Sequence, residues 1–207
     1  MTNAVWAYYP KINKWIQKSS MPTARWETGI AVESDIIYVI GGFTPDGGDQ
    51  DLSVVESYNP ATNTWVEEAP LPFGNSGSAV GLLGTTIVDA DGFTGSGPTG
   101  DTEGYSAAKN SWTSLAGDPT PRDLPCYGTA KGSLFVAGGA DFSGNAISAN
   151  ESFKLTKNKW TTLGSIPQAV TDAGSAVYKN VLYCFGGGSF TVQFRGTVYD
   201  NVQIYQP

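Results

Sequence analysis

Histidine is absent from the 207 residues. Without imidazole there is no Ser-His-Asp or Cys-His triad, and the usual zinc sites lose their commonest nitrogen ligand. Cysteine is nearly absent: two residues, Cys126 and Cys184, cannot build a disulfide framework. Each falls in a different expected strand, and those strands are not expected to be neighbours. Both therefore read as buried free thiols, which favours a reducing compartment and a cytoplasmic location. No apolar run approaches the ~20 residues that span a bilayer. The start, Met1-Thr2-Asn3-Ala4, shows no signal peptide. The glycine-rich stretch Gly92-Phe93-Thr94-Gly95-Ser96-Gly97 lacks the lysine and the following helix of a phosphate-binding loop. No metal or other cofactor is implied, and no catalytic constellation stands out.

What is present is a period. Trp15, Trp65, Trp112 and Trp160 recur every 47–50 residues, each seven residues after an aromatic: Tyr8, Tyr58, Tyr105 and Phe153. A fixed period of this length means an array of equivalent small units. Paired glycines keep the same spacing, at Gly41-Gly42, Gly138-Gly139 and Gly186-Gly187, with Asp91-Gly92 in the remaining repeat. A short apolar run rich in β-branched and aromatic residues precedes each pair, as in Ile36–Ile40, and reads as a buried strand. Sixteen residues before the first glycine stand Arg25, Arg122 and Val170. Phe73 matches them if its repeat carries two inserted residues. Pro22, Pro70, Pro119 and Pro167 come three residues earlier.

The glycine pair, the spaced Tyr and the Trp resemble the kelch repeat, with Tyr58-Asn59-Pro60-Ala61-Thr62-Asn63-Thr64-Trp65 an especially close match. Asp91 in a glycine position and the missing tryptophan after Tyr205 depart from the pattern. The resemblance covers essentially the whole chain. It implies an all-β propeller of about four four-stranded antiparallel blades set radially around a channel. Each unit is too small to bury its own faces, so neighbours must stack, and large aromatics supply the area. The repeat tryptophans are packing residues on this reading, and the glycines mark bends or close approach of an aromatic.

The chain reads as one domain over residues 1–207, with blades near 27–67, 75–114 and 123–162. A fourth combines 172–206 with 4–17. Third strands are then supplied twice, by Val5–Tyr8 and by Val202–Tyr205. The ring is either a closed four-bladed one or a half or segment of a larger one, and an open strand edge would invite a second copy.

Strand alternation assigns loops to faces. Arg25, Arg122 and Arg195 fall on the face of the loops that join blades and that join second to third strands. Asp46, Asp49, Asp51, Asp101, Asp118, Asp123, Asp141, Asp172 and Asp200 share that face, whereas the lysines cluster on the opposite one. The net charge of −7 thus conceals a dipole. Candidate ligand-binding residues on the acidic face are Arg25, Trp26, Phe43, Arg122, Asp123 and Arg195. Trp26 lies outside the tryptophan period, and Phe43, Phe190 and Phe194 sit on the longest loops, where propellers bind.

The leading expectation is a non-catalytic scaffold that takes a protein or peptide of mixed or basic charge on this face. Nucleic acid is not expected there, because its phosphates would be repelled. One alternative is a carbohydrate binder or a sialic-acid-mutarotase-like propeller, in which Asp123 or Glu27 is the acid/base and arginine holds the sugar carboxylate. Another is an assembling unit of a larger propeller with no ligand of its own.

Overall fold

The computed structural model describes residues 2–48, 50–189 and 196–207. It is all-β. A hairpin of β1 (Val5–Tyr9) and β2 (Lys14–Lys18) comes first. The first full blade is β3 (Gly29–Glu33), β4 (Ile36–Ile40), β7 (Val55–Asn59) and β8 (Thr64–Glu67), with the short pair β5 (Phe43–Thr44) and β6 (Gln50–Asp51) in its long loop. The second comprises β9 (Ala79–Leu83), β10 (Thr86–Ala90), β13 (Thr102–Ser106) and β14 (Ser111–Ser114), with the pair β11 (Phe93–Thr94) and β12 (Gly97–Pro98). The third is β15 (Cys126–Ala130), β16 (Ser133–Ala137), β17 (Asn150–Lys154) and β18 (Lys159–Thr162). A three-stranded sheet of β19 (Gly174–Tyr178), β20 (Val181–Phe185) and β21 (Val202–Tyr205) completes the described strands.

The two parts of the expected composite fourth blade lie in separate sheets. β2 pairs with β1, and β21 pairs with β20. β1 and β21 are both third strands, and one blade cannot seat two.

The repeat residues meet across strands. Tyr8 lies directly opposite Trp15, Tyr58 opposite Trp65, Tyr105 opposite Trp112 and Phe153 opposite Trp160. Their ring centroids are 5.1, 4.9, 5.0 and 5.2 Å apart. The turn between them does more than reverse the chain. Asn13, Asn63, Asn110 and Asn158 all take left-handed backbone angles there, which asparagine tolerates. The side-chain oxygens of Asn63, Asn110 and Asn158 accept the backbone N–H of Ser19, Ala69 and Ala116, just beyond the previous unit's outer strand. The indole N–H groups of Trp65, Trp112 and Trp160 donate to the carbonyls of those same three residues. The tryptophans are therefore polar clamps between units as well as packing residues.

The second repeat needs no insertion. Gly42, Gly92 and Gly139 donate their N–H groups to the carbonyls of Asn75, Arg122 and Val170, each at 2.8 Å. Asn75, not Phe73, is thus the counterpart of Arg25 and Arg122, and Pro72 replaces Pro70 in the proline series. The same contact explains the glycines. Gly41 has φ +58, and a Cβ there would stand 2.3 Å from the Asn75 carbonyl oxygen. The close approach is to backbone of the next unit, not to an aromatic. Asp91 adopts φ 59 in the matching place, a conformation aspartate tolerates better than most residues.

Cys126 and Cys184 form a disulfide, so the free-thiol expectation is corrected. Stacked units bring the first strand of one against both inner strands of the next, and β15 contacts β19 and β20. The bridge crosses a unit boundary with a sequence separation of 58. In the chain-entropy picture a loop of that length contributes about 4 kcal/mol. Paired cysteines give no support to a reducing compartment.

Candidate functional site

Trp26, Ser76, Asp123 and Thr171 occupy one position in successive inter-unit connections. Each makes a β-bridge to its own unit's long loop, at Phe43, Phe93, Ala140 and Gly188 respectively. The next residues, Glu27, Gly77, Leu124 and Asp172, all have positive φ, between 48° and 60°. In that conformation they chain together: Gly77 N–H donates to the Glu27 carbonyl, Leu124 N–H to Gly77, and Asp172 N–H to Leu124, at 2.9–3.0 Å. The rim of the channel is therefore a hydrogen-bonded arc of backbone. Glu27 and Asp172 place carboxylates on it where the second repeat has glycine.

A cavity of about 700 Å³ opens over this rim. Part of its lining is aromatic: Trp26 stacks on Phe43 at 5.7 Å and 8°, and Phe93 and Phe142 also line the space. Trp26 stays half-exposed at 51% and Phe142 at 69%, so their rings are available. The lining is also acidic, with Glu27, Asp51, Asp123, Asp141 and Asp172. Among the described residues no lysine or arginine lines it.

The acids feel that imbalance. Burial pushes the Asp123 carboxyl up to about 6, and negative charge on Glu27, Asp141 and Asp51 adds to it. Glu27 is raised first by burial and then by Asp172 and Asp51, against a hydrogen bond from Ser76. Asp51 is raised by burial while accepting the Ser76 hydroxyl at 2.7 Å. One Asp123 oxygen is buried with no hydrogen-bond partner. A cation entering here would meet uncompensated carboxylates and aromatic faces together.

The structure thus brings Trp26, Phe43 and Asp123 together. It does not bring Arg25 and Arg122 to them, because both guanidinium groups are buried with 0% side-chain exposure. Arg122 forms an ion pair with Glu151 and lies 3.5 Å from Asp118 and 3.8 Å from Asp91. It also donates to the carbonyls of Thr120, Gly138 and Ala149. Arg25 pairs with Glu56 at 3.0 Å and donates to the Val39 carbonyl. These arginines leave their loops inward and tie the blade from within. Arg195, Asp49, Phe190 and Phe194 lie outside the described residues.

Sequence reasoning missed Phe93 and Phe142. Phe93 carried a signal, since it follows Asp91-Gly92 as Phe43 follows Gly41-Gly42. Phe142 carried one too, since it stands four residues after Gly138 as Phe190 stands four after Gly186.

Comparison with known proteins places the chain. The Kelch motif family matches residues 30–72. Kelch-like protein 23 of Homo sapiens is 29% identical over 205 residues, 99% of this chain and 35% of that protein. Kelch-like protein terF of Aspergillus terreus is 27% identical over 100 residues, 44% of this chain and 22% of its own. Alpha-scruin of Limulus polyphemus is 35% identical over 54 residues, 26% of this chain and 6% of that protein. The chain thus spans at most about a third of these curated relatives. Among solved structures, that of YjhT superposes with a TM-score of 0.87 at 16% identity, covering 98% of this chain and 75% of that one.

Proposed function

We propose that this chain, a propeller of kelch-type repeats, serves as a non-catalytic scaffold binding a basic segment of a protein partner in the cavity of its loop face. The observation that carries this reading is the meeting of a stacked Trp26–Phe43 pair with five carboxylates in one concave site. A lysine or arginine side chain suits both kinds of group: its charge meets the acids and its stem or guanidinium plane lies on the rings.

An anionic sugar fits less well. A sialic-acid carboxylate needs a cation to hold it, and Arg25 and Arg122 point away from the cavity. The test is a peptide library run beside a glycan array. Saturable binding of lysine- or arginine-containing peptides, weakened about tenfold or more by Trp26→Ala or Asp123→Asn, is expected. Binding should also weaken below about pH 6, as protonation removes the Asp123 charge. Saturable binding to sialylated glycans with no basic-peptide binding would overturn the proposal.

A further inference from the structure

The most specific part of the loop-face cavity lies in the first full unit and its connection. Trp26 and Phe43 are bridged backbone to backbone, and their rings stack 8° from parallel. Each ring has a carboxylate close by on the chain. Glu27 is the residue after Trp26, and Asp51 stands directly across the β5–β6 pair from Phe43. The Ser76 hydroxyl donates to Asp51 at 2.7 Å. A third carboxylate, Asp123, feels the charge of both, and one of its oxygens is buried with no hydrogen-bond partner. A flat aromatic pair thus shares one cavity with three carboxylates that repel one another.

Lysine and arginine meet such a place differently. An ammonium is a compact, strongly hydrated point charge, and it must shed water to enter a cavity that Phe93, Phe142 and Leu124 also line. A guanidinium is planar, more weakly hydrated, and holds five donors in a rigid fork. It can lie flat on an indole while its edge donates to carboxylates, so stacking and hydrogen bonding act together. It also keeps its charge beside acids of any strength, and so favours the ionised form of carboxyls that burial has pushed towards protonation. The chain uses the same chemistry internally. Every ion pair among the described residues involves an arginine, and Arg122 gathers Asp91, Asp118 and Glu151.

We propose that this part of the cavity is an arginine pocket, which takes one arginine side chain of the partner and discriminates against lysine. The assignment rests on the loop-face binding proposed above. The guanidinium stacks on the half-exposed indole of Trp26, on the face away from Phe43. Its N–H groups donate to Glu27, Asp51 and the unpartnered oxygen of Asp123. Trp26 is therefore the residue that sets specificity, and the carboxylates supply the charge.

The probes are labelled glycine–serine peptides that differ only in a central arginine, lysine or citrulline, measured by fluorescence anisotropy with the whole chain at low salt. The arginine peptide should bind at least about tenfold tighter than the lysine peptide. It should exceed the citrulline peptide, which keeps the plane but lacks the charge, by about thirtyfold or more. Trp26→Leu, at an exposed position, should reduce the arginine-to-lysine ratio to about threefold or less. Glu27→Gln should weaken the arginine peptide about three- to tenfold. Trp15→Leu, at an exposed position on the β1–β2 hairpin, should change neither. Lysine binding as tight as arginine, and still lost with Trp26→Leu, would overturn the arginine assignment while leaving loop-face binding intact. An arginine preference that survives Trp26→Leu would overturn the stacking on which the assignment depends. Binding of neither basic peptide would overturn both proposals.

Discussion

Arg122 and Arg25 hold the same place in two repeats and have very different surroundings. Around Arg122 the donors find partners in its own blade, while carboxylates approach from its own blade, its own connection and the preceding unit. Around Arg25, Glu56 repeats the role of Glu151, and Thr23 bonds Glu56 as Thr120 bonds Glu151. Among the described residues the preceding unit sends no carboxylate to Arg25, and two guanidinium nitrogens stay unmet. The difference teaches where the stability of a repeat comes from. A blade supplies its own ion pair, but its neighbour supplies the cover and the last hydrogen bonds.

Breaking the two sites should give unequal losses. Arg122→Ala leaves Asp91, Asp118 and Glu151 buried without a cation and should cost about 3–5 kcal/mol in urea unfolding. Arg25→Ala strands only Glu56, in a unit preceded by the two-stranded β1–β2 hairpin, and should cost roughly half as much. Equal losses would mean that the neighbour adds nothing.

The disulfide acts on the far side of the Arg122 unit. Cys126→Ser with Cys184→Ser should lower stability by about 2–4 kcal/mol and loosen β19–β21 first. Limited proteolysis would locate the loosened segment.

Acidity acts on the Arg122 site. Burial raises Asp91 well above its ordinary range, with Asp118 the next cause, and raises Asp118 to about 6. Both folded values exceed the unfolded ones, so the native state holds extra protons. Their contribution is fully present below about pH 4 and is lost as pH rises, for Asp118 through about 6 and for Asp91 through its own raised range. Each coupled proton gives a slope of at most about 1.4 kcal/mol per pH unit. Asp118→Asn should flatten that slope in unfolding measured from pH 4 to 7, and Arg25 variants should not alter it.

The smallest effect concerns the tryptophan clamps. Trp160 is 7% exposed and bonded to Ala116, whereas Trp15 is 64% exposed. Trp160→Phe should cost about 1–2 kcal/mol and Trp15→Phe less than about 0.5.

Most of the architecture was legible because it rests on local chemistry repeated at a fixed period. Tyr58, Asn63 and Trp65 sit on one hairpin, and the glycine pairs follow their strands directly. The fate of the arginines was not legible, since Glu151 lies 29 residues from Arg122 and nothing nearby shows the side chain turning inward. A clue was present: Glu56, Glu103 and Glu151 each stand two residues before a repeat aromatic, on the same strand face as a buried ring. The cysteines misled because pairing was judged within sheets, and the bridge spans two stacked ones. Of the loop-face cavity's lining, Trp26, Phe43 and Asp123 were legible from an off-period tryptophan, a long loop and charge placement. That they share one cavity with Phe93 and Phe142 needed the three-dimensional loops.

Amide hydrogen exchange on one sample tests the central comparison most directly. The account predicts that β1 and β3, which line a cavity of about 580 Å³ between the first hairpin and the first full blade, exchange faster by an order of magnitude or more than their counterparts β17 and β15 in the third blade. Equal protection of the two sets would contradict it, because the cavity beside Arg25 would then already be closed.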